Sequence, residues 1–143
     1  MRRKNALWVL AVCGFFSVSA PARADVVTDW NELAFRVSLI GGASAQNAGR
    51  VAAIVHAAVF DALNGIDRRY TPIHVAPPDS CLGASRPTAA VQAAYEILSK
   101  VYGASATAAN QQPTLDGRYA ASLADIRSRE RAASVDKGIA CRT

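Results

Sequence analysis

The chain is poor in the residues that most often carry chemistry. It has two histidines, three cysteines, one methionine and two tryptophans in 143 residues, and no two cysteines stand in a Cys-x-x-Cys spacing. There is no glycine-rich phosphate loop, no Gly-x-Ser-x-Gly elbow and no His-Glu-x-x-His helix, so the common sequence signatures of nucleotide binding, serine hydrolysis and zinc peptidase chemistry are missing. His56 and His74 are too few ligands for a metal site, and the proline-bearing stretch between them sets no usual ligand spacing. No strand-like alternation, internal repeat or low-complexity tract is present. Charge is also scarce: charged residues make up 19% against 51% hydrophobic, a globular composition of single-domain length.

Much of the formal net charge of +5 sits at the N-terminus. Arg2, Arg3 and Lys4 lead into a weakly polar run from Ala6 to Ala20, and Pro21-Ala22-Arg23-Ala24 follows with the Ala-x-Ala pattern that signal peptidase accepts. Residues 1–24 therefore read as a secretory signal peptide, with a new N-terminus at Asp25 and a periplasmic or secreted destination. A retained membrane anchor is the competing reading, but the run falls short of the roughly 20 residues that cross a bilayer. Cleavage leaves twelve basic and eleven acidic residues, a formal +1. So balanced a chain gives no support to a nucleic-acid or anionic-membrane partner, which would need a basic face.

Cys13 leaves with the signal, and Cys81 and Cys141 remain with 59 residues between them. An oxidising compartment permits their pairing, which the chain-entropy model values at about 4 kcal/mol. Sequence spacing does not bring their Cα atoms together, and the expectation is two unpaired cysteines.

Residues 25–143 read as an all-α bundle of about four helices. Asp29 to Ile40 has Asp29 and Glu32 in capping-box positions and apolar residues at helical spacing, ending at Gly41-Gly42. A second helix is expected from about Ala48 to Asn64, ended by Gly65 in the left-handed conformation. It is apolar on most of its circumference, which predicts a buried helix. Ile66 to Leu82 holds Pro72, Pro77 and Pro78 and reads as an extended connector. Ser85 caps a third helix running to Gly103, and a fourth begins after Pro113. Residues 136–143 resemble the opening of a fifth helix too short to sustain itself. Thirty alanines make helices easy to form but give each little apolar area, so stability must come from close packing.

Three groups of residues invite a functional reading. His56, among Val59, Phe60 and Leu63, is expected to be a neutral, hydrogen-bonded core residue. Asp61, Asn64, Asp67, Arg68 and Arg69 are expected to form a structural polar cluster at the end of the second helix, with Arg68 or Arg69 pairing Asp61; an anion site on the two arginines is the alternative. Arg127, Arg129 and Arg131 alternate with Asp125 and Glu130 and read as a solvated helix face.

The blocks DVVTDWNELAFR at 25–36, VHAAVFDALNGIDRRYTPI at 55–73 and ASRPTAAVQAAYEIL at 84–98 carry a resemblance, extended by LDGRYAASLADI at 115–126 and DKGIA at 136–140. Together they resemble the N-terminal helical region of bacterial vanadium-dependent haloperoxidase-like proteins, of the type 2 phosphatidic acid phosphatase superfamily. The resemblance implies that chemistry belongs to a later bundle, where Lys-x6-Arg-Pro, Pro-Ser-Gly-His and Ser-Arg-x5-His segments hold vanadate or phosphate. A trianionic oxyanion needs several cationic and backbone donors, and a histidine to bond vanadium or attack phosphorus. None of the three segments is present: Arg86-Pro87 has Asp79 where the lysine would stand, and Ser85-Arg86 lacks the downstream histidine. No catalytic, cofactor-binding or metal residue transfers, and vanadate is expected only in a complete family member. The chain turns to Cys141-Arg142-Thr143 where the family continues its fifth helix, and the expectation is a truncated region. Helices two and three would then expose apolar faces for self-association or a helical partner.

Overall fold

A computed structural model describes residues 25–76, 81–103 and 110–141. The expected signal segment, residues 1–24, lies outside the described residues, as do the two consecutive prolines of the connector. Five α-helices make up the fold: α1 (Val26–Ile40), α2 (Ala45–Asp67), α3 (Arg86–Leu98), α4 (Gln112–Arg127) and α5 (Ala132–Ala140). No strand occurs among the described residues, and the all-α expectation holds.

The helix starts follow local chemistry. Ser44 accepts a hydrogen bond from the Asn47 N–H at the head of α2, and Ser85 does the same for Thr88 at the head of α3, where Pro87 occupies the first turn. Helix α1 begins at Val26, ahead of the expected Asp29, and Asp25 at its N-cap makes no side-chain capping bond.

Three expectations change at helix ends. Helix α2 does not stop at Gly65: it runs to Asp67, and Arg68 takes the left-handed conformation with φ of 52°. Its N–H reaches the Asn64 carbonyl at 2.6 Å, and the next two residues are tied to the Asn64 side chain, so tertiary bonds move the stop. Helix α3 ends in one wide π-helical turn, Ser99–Gly103, which brings the Tyr102 hydroxyl onto Ser38 Oγ at 2.8 Å; Ser38 in turn donates to the Ala34 carbonyl at 2.6 Å. Helix α5 does form. A nine-residue segment cannot hold a helix alone, and packing holds this one: Val135 is fully buried and Gly138 rests on Thr88.

Helix α3 is the centre of the bundle and touches every other element, most extensively α2. Every residue from Thr88 to Ala94 is buried. Four of those seven are alanines, whose small side chains let neighbours approach from all sides. The expectation that the second helix is buried all round belongs instead to this third one. On α2, Ala53, Ile54 and His56 face solvent because its two helical neighbours leave one side uncovered. The main core joins Trp30 and Val37 of α1, Val55 and Ala62 of α2, Val91 and Leu98 of α3, Leu115 and Ile126 of α4 and Val135 of α5. Trp30 and Tyr95 meet edge to face, and Tyr95 stacks on Tyr119 at 4.3 Å between ring centroids.

Cys81 and Cys141 form a disulfide with their Cα atoms 5.0 Å apart, which corrects the expectation of two unpaired thiols. The docking of α5 causes the approach: the Ser85 N–H donates to the Ser134 carbonyl at 2.9 Å, laying the end of the chain against the segment before α3. No local spacing in the sequence encodes that return.

Apolar exposure falls only partly where it was expected. Ile54 of α2 and Val101 in the π-helical turn that ends α3 are exposed as expected, and Phe35, Leu39 and Ile40 of α1 add an exposed apolar face that was not expected. Phe35 and Leu39 stand four apart and so share one face of α1.

Candidate functional site at the end of helix α2

The polar residues 61–69 close α2, and the structure gives each of the helical ones a defined partner. Asp61 is buried to 1% exposure. Its carboxylate accepts three backbone N–H bonds from the connector: Ile73 at 2.7 Å on Oδ1, and His74 at 2.8 Å and Val75 at 3.0 Å on Oδ2. The expected pairing of Asp61 with Arg68 or Arg69 is replaced by these bonds. A buried carboxylate needs compensation, and three convergent N–H donors supply it without a second buried charge. Burial alone would raise the carboxyl pKa; the N–H groups of Val75, Ile73 and His74, aided by the charge of His74, outweigh it and hold the pKa below the ordinary value of 3.8.

Asn64, one turn on, works beside it. Its Oδ1 accepts from the N–H of Arg69 at 3.2 Å and of Tyr70 at 2.9 Å, while its Nδ2 donates to the Tyr70 carbonyl at 2.7 Å. The two side chains bind the first half of the connector to α2, with Tyr70 and Ile73 left exposed on its outer side. Asp67 bonds instead to Arg86 at the head of α3. That hydrogen bond is the main cause of its lowered carboxyl pKa, against a smaller opposing effect of burial. The expectation of a structural polar cluster is met in its role, with Arg86 and the backbone of 73–75 as partners that sequence distance concealed.

His56 corrects a second expectation. It is exposed, with Nε2 2.9 Å from Asn31 Oδ1 across the α1–α2 contact, and is no core residue. It stands three residues after the exposed Ala53 and so shares that residue's outward face on the uncovered side of α2. His56 bonds to α1 and His74 to Asp61 through its backbone, so the two histidines serve separate contacts. Among the described residues no group of three or more His, Cys, Asp or Glu side chains converges as a metal site.

A cleft of about 910 Å³ opens beside this cluster, between the start of α1, the head of α3 and the far half of α4. Leu63, Ala90 and Ile126 contribute apolar surface, and Arg86, Arg118 and Arg129 line it. Each arginine has a carboxylate partner: Asp67, Asp29 at 2.8 Å and Asp125 respectively. Paired in this way, they do not form a concentrated cationic cradle for an oxyanion. The Arg127, Arg129 and Arg131 face is exposed as expected, with Arg127 3.7 Å from Asp136 of α5. Arg118 is the contact that sequence inspection missed; its reach to Asp29 spans 89 positions and left no local signal.

Compared with known proteins, the chain matches no protein-family model, no curated protein and no solved structure.

Proposed function

We propose that the chain is an exported, N-terminal helical portion of a vanadium-dependent haloperoxidase-like protein that supports an oxyanion-binding bundle and performs no chemistry of its own. The observation that carries this reading lies in the segment of strongest resemblance, residues 55–73. Its buried polar side chains are committed to architecture, Asp61 to the backbone of 73–75 and Asn64 to that of 69–70. A general base or nucleophile needs a lone pair directed at a substrate, and these lone pairs are directed at the protein's own N–H groups. Export is supported by the apolar leader and by the Cys81–Cys141 disulfide, a bond that persists in oxidising compartments.

A second reading, a free-standing periplasmic helical module that binds a partner or itself, is favoured by the exposed Phe35, Leu39 and Ile40 on α1. Reading the DNA past the Thr143 codon in all three frames separates the two. The proposal expects Lys-x6-Arg-Pro, Pro-Ser-Gly-His and Ser-Arg-x5-His segments there, and their absence from every frame would overturn it and make the free-standing module the leading reading.

A further inference from the structure

Helix α5 is the least self-sufficient element of the fold. It has nine residues, its N-cap Arg131 makes no side-chain capping bond, and no acidic residue stands in its first turn. Its non-covalent attachments are Val135 in the main core, Ile139 packed against that core, Gly138 against Thr88, the Ser85 N–H on the Ser134 carbonyl, the Ser134 hydroxyl on the Gly83 carbonyl at 3.4 Å, and an exposed contact between Arg127 and Asp136. The disulfide adds a covalent anchor at the residue after its last turn. Cys81, Ala84 and Cys141 form a small apolar cluster beside the main core, and Ile66 packs against both. The bond therefore fastens a peripheral element, and its loss acts first on that element.

We infer that Cys81–Cys141 is a redox latch that docks α5 onto α3 when oxidised and releases it when reduced. Closing the latch converts two thiols into one S–S bond; the two electrons and two protons pass by thiol–disulfide exchange to an acceptor disulfide, which becomes two thiols. Opening it uncovers Thr88 at the head of the central helix, Ala84 just before that helix, and the inner side of Val135 on α5 itself. In a reducing compartment the segment of α5 is thus undocked and unable to hold its helix, and it completes its folding only after it meets an oxidant. That order of events in the cell rests on the export reading above; the latch itself does not.

Amide hydrogen exchange on the full chain, oxidised and then reduced with a phosphine, tests the latch. The expected result is that amides of residues 135–141 exchange about a hundredfold faster after reduction, while those of α2 and α3 change less than about tenfold. Joint substitution of Cys81→Ser and Cys141→Ser reproduces the reduced pattern, and reoxidation of the unsubstituted chain restores protection. Unchanged protection of α5 in both the reduced chain and the double variant would overturn the latch. So would loss of protection in all five helices together, because the bond would then staple the whole fold. Both outcomes are independent of export, which is decided separately by the mass of the chain recovered outside the cytoplasm.

Discussion

Replacing Asp61 with alanine destabilises the fold by about 3 kcal/mol, because it leaves three backbone N–H groups without the carboxylate that gathers them. Asp61→Asn keeps the shape and costs less, about 2 kcal/mol: one amide oxygen can still serve His74 and Val75, but the amide nitrogen then faces the Ile73 N–H as a second donor. Urea unfolding gives both values, and amide exchange at 73–75 shows whether the connector has come away. The same carboxylate sets a pH dependence. Its folded pKa lies below 3.8, so its stabilising contribution is present above the unfolded value and is lost as pH falls through the folded one. Asp67 acts in the same direction through Arg86. Stability of the unsubstituted chain therefore declines below about pH 4, and Asp61→Asn makes that decline shallower. An Asp61→Asn variant with unchanged stability and an unchanged acid limb would show that the three bonds contribute nothing.

The second large effect comes from glycine positions of opposite character. A Cβ on Gly138 would lie 2.6 Å from Thr88 Cβ, 2.9 Å from its Cγ2 and 3.0 Å from the Ser85 carbonyl oxygen, two of them on a fully buried residue. Gly138→Ala is expected to destabilise by about 2 kcal/mol despite the gain in helix propensity, since α5 must back away from α3. Gly117 lies exposed in α4 with no atom within 4 Å of its built Cβ, and Gly117→Ala is expected to stabilise by about 1 kcal/mol. Thermal melts of the two variants are expected to move in opposite directions; a Gly138→Ala chain that melts as high as the parent or higher would mean that α5 does not pack on Thr88 as described. The same close approach leaves Thr88 Oγ1 buried with no hydrogen-bond partner among the described residues.

What was legible in the sequence was whatever depends on neighbours along the chain. Ser85 caps the helix it precedes, Pro87 sits in that helix's first turn, and the apolar spacing of α1 puts Trp30 and Val37 on its buried face. What was hidden depends on residues brought together by folding. Gly65 carries the usual sign of a helix stop, yet Asn64 holds the chain through its bonds to 69 and 70 and moves the left-handed residue to Arg68. His56 has apolar neighbours in sequence, but which side of α2 stays uncovered is set by the placement of α1 and α3. Asp61 was read correctly as a structural carboxylate and given the wrong partner, because a charged arginine is visible in sequence and a backbone N–H twelve residues away is not. The disulfide was missed for the same reason: Cys81 and Cys141 meet only because α5 turns back to the head of α3.

The claim that these helices support chemistry without performing it is tested most directly by assaying the purified chain, with orthovanadate, for bromide oxidation by hydrogen peroxide and, without it, for hydrolysis of a phosphate monoester. The account predicts rates equal to those of a mock preparation in both assays. Vanadate-dependent bromide oxidation or phosphatase turnover above the mock would contradict it and would assign chemistry to residues read here as architecture.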